Sequence, residues 1–485
     1  MEMRKTCNFR QTLRYAIITF GFAAGIISPR FGIAGEGKDE DSRLTIERIY
    51  GKNEFSSKGY SARWLDNSNA FTTLEASIDY QDRHDIVSHN PATGKDLIIV
   101  HASDLIPSGE SIPLKIEDYA WSSNQATLLI YTNSKRVWRR NTRGDYWLLD
   151  RSAGQLRRLG GNAKPASMMF AKFSPSGHQI AYVQDRDIYI QNLIDFNVKR
   201  LTHAVDKDEI NGTTDWVYEE EFSLRDGFRW SPDGKSIAYW QLNTQGVQKF
   251  PLINNIDSLY PEVTWFAYPK VGQINPKCRI GVIDISSEKT IWVRLPEENG
   301  DYYIPRIDWT KDSQGILVQR LNRLQNTNSL YLADVNSGDV EPILTETDDA
   351  WVDVNDEMTW LPDGKKFTWI SERDGWRHIF LASPSGGDPI LVTPVGFDVI
   401  KLLRTDEVAG RLYFIASPDD AASRYLYRID LDGQNLQRIT PEDGEGTHVY
   451  DISPNSCWAI IVGLRQETHL SPNWLVYPII RQCEL

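Results

Sequence analysis

Trp230-Ser231-Pro232-Asp233-Gly234, followed by the apolar Ile237-Ala238-Tyr239, is the stretch whose reading decides the fold. Proline fixes φ at the first turn position, and Asp and Gly accept the turn geometry that two flanking strands require, so the segment reads as strand, turn, strand. The same pattern returns as Phe173-Ser174-Pro175-Ser176-Gly177 before Ile180-Ala181-Tyr182, and as Trp360-Leu361-Pro362-Asp363-Gly364 before Phe367-Thr368-Trp369. Weaker copies start at Trp121, Trp309 and Ile452. A second class of turn closes each unit, as in Asn90-Pro91-Ala92-Thr93-Gly94, Asp150-Arg151-Ser152-Ala153-Gly154, Asn336-Ser337-Gly338 and Asp432-Gly433. Two hairpins per unit make a four-stranded sheet.

From Trp121 through Phe173, Trp230, Trp309 and Trp360 to Ile452, the copies are 52, 57, 79, 51 and 92 residues apart. About 45 to 55 residues is the period of a propeller blade. The last interval therefore hides one more unit, with its hairpin near Leu412-Tyr413-Phe414-Ile415, and another fits around Trp64-Leu65-Asp66-Asn67. The count is eight. A four-stranded unit with one apolar face cannot bury that face alone, so successive units pack around an axis and close. The expected fold is all-β: an eight-bladed β-propeller of four-stranded blades over 35–460. An open β-solenoid ranks below it, since its period is shorter and its strands are less aromatic.

The composition agrees. Of the 485 residues, 41% are hydrophobic and 11% aromatic, with 16 Trp, which suits many short strands and excludes a disordered chain. Lys and Arg number 53 against 66 Asp and Glu, a net charge of −13 with no basic stripe, so no nucleic acid partner is expected. Arg4, Lys5, Arg10 and Arg14 precede the 13-residue apolar run Tyr15 to Ile27, short of the roughly 20 residues that span a bilayer. Small residues at Gly32-Ile33-Ala34 suit a signal peptidase. Residues 1–34 are expected to be a cleaved export signal, with a retained membrane anchor as the alternative. The location is then periplasmic or secreted, or outside the cytoplasm on that anchor.

Cys7, Cys278, Cys457 and Cys483 are widely spaced, and without the signal three remain, which suggests neither a disulfide framework nor a zinc site. The eight histidines show no metal-ligand spacing and no carboxylate pairing along the sequence. No metal, cofactor or catalytic residue is expected.

Function is grafted where residues leave a blade. Asn254 to Val271 reads as an extended excursion. Between Thr202 and Phe228, a stretch that does not alternate contains Asp215-Trp216-Val217-Tyr218-Glu219-Glu220-Glu221-Phe222. The acidic run has two readings. It is either a solvated helix end, or a receptor in which an ammonium relieves the repulsion of two close carboxylates.

Asp-Trp-Val-Tyr-Glu-Glu-Glu, with Trp230-Ser231-Pro232-Asp233-Gly234, Tyr268-Pro269-Lys270, Gly272 and Asn275-Pro276 after it, resembles the propeller half of dipeptidyl peptidase IV in the prolyl oligopeptidase family. The resemblance runs from Leu44 to Ile460. It implies that a short helix carries a glutamate pair, Glu220 and Glu221, that grips the free α-amino group of a peptide. It leaves Glu219 as a neighbour and assigns Trp216 and Tyr218 to packing. It also implies that Arg139, in Val137-Trp138-Arg139-Arg140-Asn141, contacts the substrate carbonyl. The expected partners are peptides with a free N-terminus, with a separate catalytic α/β-hydrolase chain or a second copy as further partners.

A serine peptidase of this family needs a Gly-x-Ser-x-Gly elbow, and none occurs in these 485 residues. The expectation is therefore a non-catalytic substrate-recognition propeller, of the kind that serves release of N-terminal X-Pro and X-Ala dipeptides. The alternative is an extracytoplasmic protein-binding scaffold, which has no need of paired Glu220 and Glu221. Residues 461–485 depart from the family, which is the pattern expected of a frameshift or early stop.

Overall fold

The computed structural model describes residues 43–52, 54, 61–66, 69–296, 301–418, 420–442, 446–464 and 473–478. The expected export signal or anchor at 1–34 lies outside these residues. Among the described residues no helix is long and apolar enough to cross a membrane. The chain divides into two units, Met1–Ser56 and Ser57–Leu485. In the first, the described residues form one π-helical turn, Glu47–Gly51.

The second unit is antiparallel sheet after antiparallel sheet, in the order of a propeller. Ala62–Trp64, Phe71–Ala76, His84–Asn90 and Lys95–Val100 form one four-stranded sheet, and Tyr302–Trp309, Gly315–Asn322, Thr327–Asp334 and Val340–Thr347 form another. Val399–Asp406, Arg411–Ala416, Tyr425–Asp430 and Gln437–Arg438 form a third, with the expected hairpin strand near Leu412 in it. Eight strands between Asp118 and Arg200 form one sheet in which two quartets are joined by the single pair Gly144 and Met168. Phe367–Ser371, His378–Ala382 and Ile390–Leu391 form a three-stranded sheet, with Trp360 bridged to Phe367.

The turn chemistry read from the sequence is what ties each hairpin. Gly234 has φ +70° and its N–H donates to the Ser231 carbonyl at 2.9 Å, while Ser231 Oγ donates to Asp233 Oδ1 at 2.7 Å. The fifth position takes positive φ in all six copies: Gly177, Gly234 and Gly364, but also Gln125, Ser313 and Ser456 at φ between +57° and +62°. The weak copies thus keep the turn while lacking its glycine, a conformation that is strained for a residue with a Cβ.

Apolar residues alternate along the strands and fill the layers between successive sheets. One layer holds Leu317, Leu330, Trp360, Phe367 and Trp369; another holds Leu412, Phe414, Tyr427 and Ile429. The first and last sheets meet, because Trp64 Nε1 donates to the Asp451 carbonyl at 3.3 Å. That contact, 387 positions apart in the chain, sets the two terminal sheets beside each other, so that neither lacks a neighbouring blade.

The last sheet extends past position 460. Thr447–Ile452 pairs with Trp458–Leu464, which pairs in turn with Asn473–Pro478, so β pairing runs through the boundary drawn at 460. The cysteine reading is corrected. Cys457 is disulfide-bonded, and Cys278 is a buried free thiol.

Candidate functional site

The sheet that carries the site has a broken inner strand. Glu209–Asn211 and Phe228–Trp230 both pair with the continuous strand Ser236–Asn243, on either side of Trp240. The Trp240 backbone N–H and C=O serve both halves, donating to Gly227 O and accepting from Gly212 N at 3.0 Å each. Gly227 also donates to Gly212 O at 3.0 Å, and a Cβ on Gly227 would lie 2.8 Å from the Gly212 carbonyl carbon. Residues 213–226 therefore leave the sheet through a neck that only glycine fits at 227.

Within this insert stands the helix α1, Trp216–Phe222. Asp215 caps its N-terminus, its Oδ1 accepting from the Tyr218 N–H at 3.1 Å, and Ser223 ends it in the left-handed conformation at φ +51°. Seven residues are too few for a helix to persist alone, so packing holds it. Val217, Tyr218 and Phe222 are buried in a core shared with Trp240, Tyr303, Ile304 and Ile307. Tyr218 Oη accepts from the Ile304 N–H at 3.1 Å. Burial pushes three groups here away from their charged forms: the Tyr218 phenol well above its usual value, the Cys278 thiol up to about 12 and the Asp215 carboxyl up to about 6.

The three glutamates have three environments. Glu219 is buried, and its Oε1 accepts from Arg225 Nε at 3.0 Å within the same insert. Glu220 is half-buried and accepts from Arg139 Nε at 2.9 Å, with an Arg139 Nη2 on its other oxygen. Glu221 is exposed and has no hydrogen bond or ion pair among the described residues. Two guanidiniums against three carboxylates leave one negative charge, enough for one cation.

Arg139 lies in the hairpin turn between Thr127–Arg136 and Asn141–Asp150, tied by the Val137 N–H to the Arg140 carbonyl at 3.0 Å. Next to it, Trp138 meets Phe266 with ring centroids 4.9 Å apart, and Phe266 meets Trp216 at 6.1 Å. Trp216 also packs on Tyr268 at 4.2 Å. Phe266 belongs to the excursion expected after Asn254, which is a two-stranded arm of Lys249–Asn254 and Glu262–Ala267. The aromatics thus tie together the arm, the Arg139 turn and α1.

Sequence reasoning assigned Glu220, Glu221 and Arg139, and the structure sets the first two side by side on α1 with Arg139 bonded to Glu220. Trp216 and Tyr218 pack, as expected. The reading missed Arg225. Arg225 follows Glu219 by six positions, a spacing that only the left-handed turn at Ser223 makes into a contact. The reading that histidines lack carboxylate partners is corrected: His89 Nδ1 lies 2.8 Å from Asp96 Oδ1, and His378 Nδ1 lies 2.8 Å from Asp374 Oδ2. His89 and Asp96 face each other across strands, which linear spacing does not display. Among the described residues no group of His, Cys, Asp and Glu is placed to hold a metal ion.

A broken strand that lifts an acidic helix out of a propeller sheet defines a class: a β-propeller with an acidic helical insert. Residues 122–463 match the family described as the dipeptidyl peptidase IV (DPP IV) N-terminal region, and the chain belongs to that family. A Trichophyton verrucosum protein named "Probable dipeptidyl peptidase 4" is 29% identical over 442 residues, covering 88% of this chain and 56% of that protein. Dipeptidyl peptidase 4 of Trichophyton tonsurans is 29% identical over 426 residues, covering 85% of this chain and 53% of its own. The crystal structure of Porphyromonas gingivalis dipeptidyl peptidase 4 superposes with a TM-score of 0.78 at 26% identity, covering 86% of this chain and 58% of that one. The chain spans about half the length of these relatives.

Proposed function

We propose that this chain is the substrate-recognition propeller of a dipeptidyl peptidase IV-type system, holding the free N-terminus of a peptide and leaving bond cleavage to a hydrolase domain outside these 485 residues. The observation that carries it is the Arg139–Glu220 ion pair on α1 next to Glu221, which has no partner among the described residues. The unpaired Glu221 and the remaining negative charge suit one ammonium, and the Arg139 guanidinium is a donor for the peptide carbonyl next to it. Three four-stranded sheets, the eight-stranded sheet taken as two, the sheet with the broken strand and two three-stranded sheets support eight blades. The names of the relatives support release of dipeptides as the reaction of the whole assembly. An extracytoplasmic site of action, periplasmic or secreted, goes with this reading.

The chemistry of recognition is a match of charge and hydrogen bonds. An ammonium has three donors; Glu220 and Glu221 offer four carboxylate oxygens, two of them already engaged by Arg139. Each charge-assisted bond is worth about 1.5 to 3 kcal/mol when shielded. The test is a titration followed by 19F NMR of Ala-Pro-Ala carrying a fluorinated proline, free and N-acetylated. Only the free peptide should bind, with a Kd near millimolar, about −4 kcal/mol. Glu220→Gln and Glu221→Gln should each weaken it tenfold or more. Equal binding of the two peptides would leave the acidic run a solvated helix end.

A further inference from the structure

α1 does not rest on a flat sheet. The neighbouring inner strand, Tyr302–Trp309, loses register with Gly315–Asn322 between Tyr303 and Arg306, so that Ile304 and Pro305 form a bulge. A bulge withdraws backbone groups from the ladder and re-aims the side chains that follow. Both backbone groups of Ile304 are used on the insert or beside it, and the Pro305 carbonyl accepts from Arg306 Nη1 at 2.6 Å. The Ile304 N–H donates to Tyr218 Oη at 3.1 Å, and the Ile304 carbonyl accepts from Trp240 Nε1 at 2.7 Å. Pro305 has no N–H to leave unsatisfied. Tyr303 packs its ring on Tyr218 and Phe222, with centroids 6.3 and 5.1 Å away.

Arg306, the first residue past the bulge, reaches α1 itself. Its Nη2 donates to the Phe222 carbonyl at 2.7 Å, and its Nε lies 2.7 Å from Asp356 Oδ1. The last carbonyls of a helix have no partner within it, and the negative end of its dipole favours a cation. A planar guanidinium can bond both acceptors at once, whereas an ammonium has a single nitrogen to share between them.

The geometry points to Arg306 as the positioning residue of the site: seated on the Ile304–Pro305 bulge and held by Asp356, it caps α1 at Phe222 and so fixes the last turn, which carries Glu220 and Glu221. Arg306 touches no part of a bound peptide in this role. It acts by holding the two Cα–Cβ directions that set the carboxylate pair. The inference deepens the amine-recognition reading and rests on it for its functional consequence, while its structural consequence stands apart.

The experiment uses the full chain and the variants Arg306→Met, Arg306→Lys, Asp356→Asn and Glu221→Gln. Amide hydrogen exchange of 217–224 reads the positioning alone, and the 19F titration with free and N-acetylated Ala-Pro-Ala reads its effect. Arg306→Met should speed exchange in 217–224 at least tenfold, leave the other strands protected and weaken the free peptide about tenfold. Arg306→Lys, able to keep the Phe222 contact, should recover part of both losses, and Asp356→Asn should show a smaller loss than Arg306→Met. Unchanged exchange of α1 in a folded Arg306→Met variant overturns the proposal. So does unchanged peptide affinity in Arg306→Met when Glu221→Gln abolishes binding. Intact binding in Glu221→Gln instead removes the amine reading, and the exchange result then decides the positioning role by itself. If Arg306→Met does not fold, Arg306→Lys and Asp356→Asn carry the same two measurements, and normal α1 exchange in both overturns the proposal.

Discussion

Arg139 Nε donates to Glu220 Oε2 at 2.9 Å, joining a hairpin turn of one sheet to the helix of another 81 positions later. The guanidinium is largely exposed, at 72% of its side-chain surface, so the pair is screened and contributes little to folding, under about 1 kcal/mol. Arg139→Met should therefore leave the urea midpoint almost unchanged. Binding should separate into two effects. A free peptide, which loses its carbonyl donor, should bind more weakly to this variant, while a simple alkylammonium should bind at least as well, because Glu220 is no longer neutralised. A parallel loss for both ligands would show that Arg139 only shapes the helix.

Tyr218→Phe tests the packing of α1. The Tyr218 hydroxyl accepts the Ile304 N–H at 3.1 Å in a fully buried setting. Phenylalanine keeps the ring and strands that N–H without a partner, at a cost of about 1 to 3 kcal/mol. The expected outcome is a lower urea midpoint with an unchanged slope. A midpoint within error of the parent would show that the bulge amide finds water.

The repeat, the turns and the acidic helix were legible because each rests on local chemistry. Pro232, Asp233 and Gly234 encode a turn with no help from the rest of the chain, and the 3.6-residue phase of Val217, Tyr218 and Phe222 against Glu220 and Glu221 is that of a half-buried helix. The bulge at Ile304–Pro305 and the contacts of Arg306 were not legible. They depend on which sheet stands next to which, and no local spacing records a contact between Phe222 and Arg306, 84 positions away.

The Asp215 cap adds a pH dependence. Burial raises its carboxyl from 3.8 to about 6, the largest cause being desolvation, against backbone N–H donors that lower it. Its folded pKa lies above its unfolded one, so the folded state binds more protons between the two values, and stability falls as pH rises from about 4 to 6. A shift of about two units corresponds to roughly 3 kcal/mol of lost stability at neutral pH. Asp215→Asn keeps a capping oxygen and cannot ionise. The difference in stability between variant and parent should move in favour of the variant as pH rises from 4 to 7. A difference that is flat over that range would mean that Asp215 titrates near its ordinary value in the folded chain.

Cys278 should be silent in the native chain. It is buried, and desolvation raises its thiol to about 12, so that almost no thiolate exists at pH 8. Alkylation by iodoacetamide at pH 8, mapped by peptide mass spectrometry, should find Cys278 unmodified before denaturation and fully modified in 6 M guanidinium. Native modification within minutes would show that the core around Tyr218 and Cys278 opens on that timescale.

The last prediction returns to the repeated turn, where Ser313 and Ser456 occupy positions that glycine fills in the stronger copies. Both have positive φ, +62° and +57°, in which a Cβ crowds the following carbonyl at about 1 to 2 kcal/mol. Glycine removes that strain but adds freedom to the unfolded chain, about 0.5 to 1 kcal/mol in the opposite direction. The two sites differ in what the hydroxyl does. Ser313 Oγ accepts the Asp233 N–H at 3.1 Å, tying one sheet's turn to the next, and its loss offsets any gain. The Ser456 backbone N–H donates to the Ser453 carbonyl at 2.9 Å, a bond that glycine keeps, and its own hydroxyl has no hydrogen bond among the described residues. Ser456→Gly should therefore raise the urea midpoint by the equivalent of about 0.5 to 1 kcal/mol, and Ser313→Gly should leave it unchanged or lower it. The reverse order would show that the hydroxyl at 456, rather than its backbone, holds the last hairpin.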